Sequence, residues 1–142
     1  MKKIIIINGP NLNELGNREV DIYGNKSLET IKIECQSHTN MLDLTFFQSN
    51  SESEIIECIQ KSKNIFVGII INAAALTHTS IAIHDSLKLL KIPIIEVHLS
   101  NPFKRENFRH KSFISPIADG IISGLGSNVY KIAITAMELK LR

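Results

Sequence analysis

Two rhythms of apolar residues alternate along the chain. The first is a short, unbroken apolar run. Ile4 to Ile7 open the series, and a β-branched run of this kind reads as a strand buried on both faces of a parallel sheet. Strands are also expected over residues 44–48, 66–71, 93–98 and 117–123, and the 66–71 run is apolar throughout apart from Gly68. The second rhythm is helical. In residues 27–41, Leu28, Ile31, Cys35 and His38 recur at i, i+3, i+7 and i+10, and Ser27 stands as the N-cap. Ser51-Glu52-Ser53-Glu54 has the spacing of a capping box and opens a helix to about Lys61, with Ile55, Ile56 and Ile59 inward. A third helix begins at Thr79 or Ser80 and runs to Leu90, with Ile83, Leu87 and Leu90 on one face. The last covers residues 127–141, after the turn Gly124-Leu125-Gly126.

Strands alternating with helices imply right-handed βαβ units and a parallel sheet covered on both faces. The expectation is a single α/β domain over residues 1–142. Its fold would be a flavodoxin-like, doubly wound, five-stranded parallel sheet in the order 2-1-3-4-5. Ligands of such sheets bind beyond the carboxyl ends of the strands. Two connections leaving that edge are long. Residues 99–116 form one, with a helical turn near Arg105. The other runs from Asn8 to Ser27 without a regular pattern, starting with the turn formers Asn8, Gly9, Pro10, Asn11 and Asn13. It carries Arg18 and Tyr23, five residues apart, between Gly16 and Gly24. A cation, a phenol and two hinge-capable glycines mark this loop as a lid rather than a linker.

Composition narrows the function. With 142 residues, 44% apolar and 21% charged, the chain can bury a core without staples. A formal charge of +2 argues against a nucleic-acid partner held by phosphate neutralisation. Cys35 and Cys58 fall in predicted helices without CxxC spacing and read as reduced, packed residues. No apolar run approaches the ~18 residues of a membrane span. The run after Lys2-Lys3 is too short for a signal peptide and is ended by Asn8-Gly9-Pro10. A cytoplasmic protein with no membrane partner is expected.

Several residue groups at the predicted sheet edge carry chemistry. Glu96 and His98 share a strand face, so the carboxylate can fix the tautomer of the imidazole and make His98 a candidate general acid. A purely structural pair is the alternative. His78 lies near the positive end of the third helix, where an anionic or hydroxyl-rich ligand is welcome. Asp85 follows seven residues later, on nearly the same helical face and ~10 Å along the axis. By themselves these two read as a capping residue and a surface carboxylate. The basic run Lys104, Arg105, Arg109, His110 and Lys111 is a solvated face or the source of one arginine for an acidic substrate. GxGxxG, P-loop, GxSxG and HExxH motifs are absent, and the five histidines lack metal-ligand spacing, so no metal site is expected.

The motifs taken together resemble the type II 3-dehydroquinate dehydratases over nearly the whole chain. The resemblance rests on Asn8-Gly9-Pro10-Asn11-Leu12, Leu15-Gly16-Asn17-Arg18-Glu19 and Tyr23-Gly24. It continues through Asn72, Leu76-Thr77-His78-Thr79-Ser80 and Glu96-Val97-His98-Leu99-Ser100-Asn101, then Arg109, Ser115-Pro116-Ile117-Ala118 and residues 120–126. Val20 stands where the family loop commonly has proline, and Ala73-Ala74 where glycine or Pro-Gly is usual. The resemblance implies a hydro-lyase of the shikimate pathway or of quinate breakdown. It would convert 3-dehydroquinate to 3-dehydroshikimate without metal or organic cofactor. It assigns Tyr23 as the base, Arg18 as the cation favouring its phenolate, and Asn11, through a water, as support for the enolate oxygen. His98 is the acid, oriented by Glu96. The backbone N–H groups of Leu99 and Ser100 hold the substrate carboxylate, and Asn72, His78 and Arg109 hold ring hydroxyls. The resemblance also implies a homo-oligomer, a dodecamer built from trimers, in which Asp85 would reach the site of a neighbouring subunit.

Two other classes fit parts of the pattern. A flavodoxin-like module binding phosphate or flavin at Gly9 or Gly124–Gly126 explains the fold and the glycines, but leaves Arg18, Tyr23, Glu96 and His98 without roles. A hydrolase using Ser80, His78 and Asp85 lacks the strained nucleophile turn.

Overall fold

A computed structural model describes all 142 residues. The strands are β1 (Lys2–Asn8), β2 (Leu42–Gln48), β3 (Gly68–Asn72), β4 (Ile94–His98) and β5 (Gly120–Ser123). They form one all-parallel sheet in the order β2-β1-β3-β4-β5, as the alternation of rhythms predicts. The helices are α1 (Val20–Tyr23), α2 (Leu28–His38), α3 (Glu52–Ser62), α4 (Ile81–Lys88) and α5 (Asn128–Lys140). No helix is long and apolar enough to cross a membrane.

Strand alternation divides the core between the two faces of the sheet. Ile4, Ile6, Ile70, Ile95 and Val97 pack against Ile31 and Cys35 of α2 and against Val129, Tyr130, Ala133, Ile134 and Met137 of α5. Ile5, Ile7, Ile69, Ile71 and Ile94 pack against Ile55 and Ile59 of α3 and Ile83 and Leu87 of α4. Both neighbours of each central isoleucine are therefore buried, which is why Ile4 to Ile7 show no polar alternation. Each contributes roughly 1.5–3 kcal/mol by leaving water.

Differences from the sequence reading lie at element ends and in the long connections. Three helices end short of expectation, at His38, Lys88 and Lys140, and β5 starts at Gly120 because Ser115–Ile117 makes a 3₁₀ turn. β3 starts at Gly68, after the backbone of Val67 has bonded to Lys3. The connection after Asn8 is less irregular than its pattern suggests: Leu12–Glu14 is a 3₁₀ turn and Val20–Tyr23 a single helical turn. The helix pattern does not register there because four residues are too few to show a period. Ser27, Ser51 and Ser80 cap α2, α3 and α4, accepting from the N–H of Thr30, Glu54 and Ile83. The capping box at α3 is only half formed. Glu54 turns instead to the hydroxyl of Ser49, which in turn accepts the N–H of Ser51 at 2.9 Å.

Candidate active site

The carboxyl ends of β1, β3 and β4 meet at the point where the strand order reverses, and the loops leaving them enclose a cavity of about 110 Å³. The loops after β1 and β3 touch at Gly9, where any side-chain Cβ would sit 2.4 Å from the Ala73 carbonyl oxygen. No other residue permits this approach. Two non-glycine residues bordering the cavity adopt left-handed backbone, Asn11 at φ 69° and Ala74 at φ 53°. Asparagine tolerates that conformation; alanine is held there against its preference.

Asn11, Arg18, Tyr23, Asn72, His78, His98, Leu99, Ser100 and Arg109 all line this one cavity. Residues from three loops and spread over nearly a hundred positions thus converge. The Arg18 guanidinium lies over the Tyr23 ring, with Cζ 3.9 Å from the centroid. The single turn of α1, between Gly16 (φ 95°) and Gly24 (φ 84°), makes this pairing by carrying Tyr23 back over the loop. Arg18 also contacts Glu19 at 3.8 Å, and the Nε of Arg109 donates to Glu106 at 2.6 Å.

On the opposite side, His98 Nε2 donates to Glu96 Oε2 at 2.6 Å. Because a carboxylate only accepts, Nε2 carries a proton and Nδ1 is the nitrogen free to gain or lose one. Glu96 is 1% exposed and has further donors: Ser112 Oγ at 2.8 Å on Oε2 and Ser115 Oγ at 2.5 Å on Oε1. Burial opposes its charge, but the hydrogen bonds from His98, Ser115 and Ser112 outweigh burial and hold the carboxyl below the usual carboxylate range. The His78 ring stacks beside His98, with centroids 6.4 Å apart and planes 20° apart. Its Nδ1 donates to the Lys111 carbonyl at 2.8 Å. Burial pushes its titration down, and the positive charge of His98 and Arg109 adds to this, against the Lys111 carbonyl and Glu96. A neutral His78 leaves Nε2 as an acceptor.

Asp85 does not line this cavity. It is exposed on α4, whereas His78 belongs to the separate 3₁₀ turn Ala74–His78, so the single-helix geometry expected for the pair does not exist. The hydrolase triad fails with it: Ser80 Oγ is a buried cap on Ile83 N–H, and His78 faces Lys111. Gly9 is packed against Ala73 and forms no open cradle for a phosphate. No cluster of three or more His, Cys, Asp or Glu side chains is placed to hold a metal ion. Cys35 and Cys58 are both unpaired thiols, with burial raising each to about 11.

Three features went unrecognised in the sequence. Arg105 lines the cavity with Cζ 5.1 Å from the Tyr23 centroid, and its Nη1 donates to Ser100 Oγ at 3.3 Å. Nothing in the basic run sets it apart from Lys104. Ser112 and Ser115 support Glu96, and no periodic signal marks loop serines. Tyr130 is a hidden polar group on the apolar stripe of α5, where a phenol in a core position demands a partner. With Arg18, Arg105 and Arg109 around it, the cavity favours an anionic ligand.

Comparison with known proteins identifies the family. The model of the family "Dehydroquinase class II" matches residues 2–138. The 3-dehydroquinate dehydratase of Prochlorococcus marinus (strain NATL1A) is 53% identical over 133 residues, 92% of each chain. The type II dehydroquinase of Propionibacterium acnes superposes with a TM-score of 0.94 at 37% identity, over 98% of this chain and 97% of that one. That of Butyrivibrio crossotus DSM 2876 does so at 0.91 and 43%, over 96% and 97%. A family match over nearly the full length, relatives of high identity and a shared fold lead to one conclusion: this chain belongs to the class II dehydroquinase family.

Proposed function

We propose that residues 1–142 act as a single catalytic domain that carries out the family's reaction, 3-dehydroquinate to 3-dehydroshikimate, in the cavity at the β1/β3 switch. Tyr23 is the base. The Arg18 guanidinium over its ring is the positive charge beside it. The phenolate takes the proton next to the ketone, the C–H electron pair forms a carbon–carbon double bond, and the carbonyl π pair moves to the oxygen as an enolate. Asn11, through a water, donates to that oxygen. The enolate then collapses, expelling the β-hydroxyl, which takes the Nδ1 proton of His98 and leaves as water. Glu96 holds the His98 ring through Nε2, so that Nδ1 faces the leaving hydroxyl. The backbone N–H groups of Leu99 and Ser100 hold the substrate carboxylate, and Asn72, His78 and Arg109 hold ring hydroxyls. The protein's own groups and one water serve every step, and neither a metal nor an organic cofactor takes part.

The observation that carries this reading is the pairing of opposites across one cavity. A guanidinium lies 3.9 Å over a tyrosine ring on one side, and an imidazole lies 2.6 Å from a buried carboxylate on the other. Purified protein should convert 3-dehydroquinate to a conjugated product with new ultraviolet absorbance, in the presence of chelator and after borohydride treatment. Folded protein that yields no such signal rejects the reading.

The rest of the proposal concerns the surroundings of the site. Asp85, exposed on α4, reaches the cavity of a neighbouring subunit in a dodecamer built from trimers, and the protein works in the cytoplasm. The segment between Gly16 and Gly24 is a lid, so amide exchange in residues 16–24 should slow when a substrate analogue binds.

A further inference from the structure

A chain of buried hydrogen bonds joins α5 to the cavity. Asn8 and Asn72 end the adjacent strands β1 and β3, in register with each other. They continue the face of Ile4, Ile6 and Ile70, so both carboxamides point towards α5. Tyr130, 0% exposed, meets them there. Its hydroxyl donates to Asn8 Oδ1 at 2.6 Å and accepts from Asn72 Nδ2 at 3.1 Å. Asn72 Oδ1 accepts the backbone N–H of Ala74 at 3.2 Å.

The direction of the chain is forced. A backbone N–H can only donate, so Asn72 Oδ1 must face Ala74. Nδ2 then faces Tyr130. The phenol has a single proton, which goes to Asn8, so the phenol oxygen must accept from Asn72. Burial pushes the titration of Tyr130 far up, which keeps that proton in place at any working pH. One Nδ2 proton of Asn72 remains uncommitted, on a residue that is 3% exposed and borders the cavity. A phenylalanine would fill the same volume in α5 and leave both carboxamides without their partner.

We propose that Tyr130 is a positioning residue for substrate: clamped between Asn8 and Asn72, its hydroxyl sets the Asn72 carboxamide to present an N–H to a ring oxygen of the bound substrate. This rests on the reading that Asn72 holds a substrate hydroxyl. Binding of that oxygen is needed equally before and during the reaction, so the consequence falls on KM and not on kcat.

The test is a double-mutant cycle of Tyr130→Phe and Asn72→Ala, with steady-state kinetics on 3-dehydroquinate and circular dichroism to verify folding. Tyr130→Phe alone should raise KM about tenfold, as expected for one hydrogen bond, and leave kcat within about threefold. In the Asn72→Ala background the same change should move KM less than about twofold. A KM near the native value for Tyr130→Phe overturns the proposal. So does an equal loss in both backgrounds, which would mark a merely structural role. A native KM for Asn72→Ala overturns the assignment of Asn72 itself, and the proposal with it. If Tyr130→Phe does not fold, Asn8→Ala removes the acceptor of the Tyr130 proton at the far end of the chain. It should raise KM in the same way, and an unchanged KM overturns the proposal.

Discussion

Replacing Glu96 by glutamine removes one charge and almost no volume. All three partners of the carboxylate are donors: His98 Nε2 at 2.6 Å, Ser112 Oγ at 2.8 Å and Ser115 Oγ at 2.5 Å. Ser112 Oγ already accepts the N–H groups of Ile114 and Ser115, both at 3.0 Å, so its own proton has to point at position 96. The glutamine oxygen therefore sits on the His98–Ser112 side. Its NH₂ faces Ser115, whose hydroxyl turns to accept it. The shape survives and the charge does not. A hydrogen bond to a charged group is worth about 1 kcal/mol more than a neutral one, so three of them amount to roughly 3 kcal/mol, from which the cost of burying the charge, absent in glutamine, subtracts. Protonated His98 loses its counter-charge too, and kcat should fall about 10- to 100-fold with KM little changed.

The pH dependence has a definite sign. The hydrogen bonds that outweigh burial place the folded-state titration of Glu96 below its unfolded value of about 4.5. Ionised Glu96 then contributes stability that is complete above that value and is lost as pH falls through the folded one. Urea unfolding, followed by circular dichroism, should show the widest gap between native protein and Glu96→Gln near pH 7. The gap should narrow as the pH drops below about 4.5. A gap of constant size, or a native kcat in the variant, would refute the reasoning.

Other perturbations test other parts of the site. Tyr23→Phe should bind substrate and lose roughly 10²- to 10⁴-fold in kcat, and near-normal turnover would remove Tyr23 as the base. Arg105→Gln takes away the second guanidinium beside Tyr23 and the donor to Ser100 Oγ, so kcat/KM should drop about tenfold or more; unchanged kinetics would leave Arg105 outside the mechanism. Ala74→Gly removes a Cβ from left-handed backbone, a relief of about 1–2 kcal/mol that the freer unfolded chain partly offsets. A thermal melt should show Tm raised by about 2–4 °C, and a lowered Tm would mean that the alanine side chain contributes packing of its own.

Much of the architecture was legible because it is written in short range. Burial on both faces of a strand produces an unbroken run such as Ile4 to Ile7, and a helix covering a sheet produces the spacing of Ile55 and Ile59. The same logic located the site. In a parallel sheet of order 2-1-3-4-5 the carboxyl ends of β1, β3 and β4 must meet, so polar residues just after those strands had to be neighbours. Family resemblance then assigned candidate roles among them. Asp85 shows the limit of that logic: its spacing from His78 assumed one continuous helix, whereas the two residues lie in separate elements divided at Thr79–Ser80.

What the sequence by itself determined was the order of elements, the edge at which chemistry collects, and the Glu96–His98 pair, which strand periodicity places on one face. Only the tertiary structure decided that Arg105, and not Lys104, turns towards Tyr23. It alone joined Tyr130 to Asn8 and Asn72, across 122 and 58 positions, and placed Ser112 and Ser115 under Glu96. The physical reason is one of range. Periodicity reports which side of an element is buried, whereas the aim of a long side chain or a hydroxyl is set by whatever distant segments pack around it.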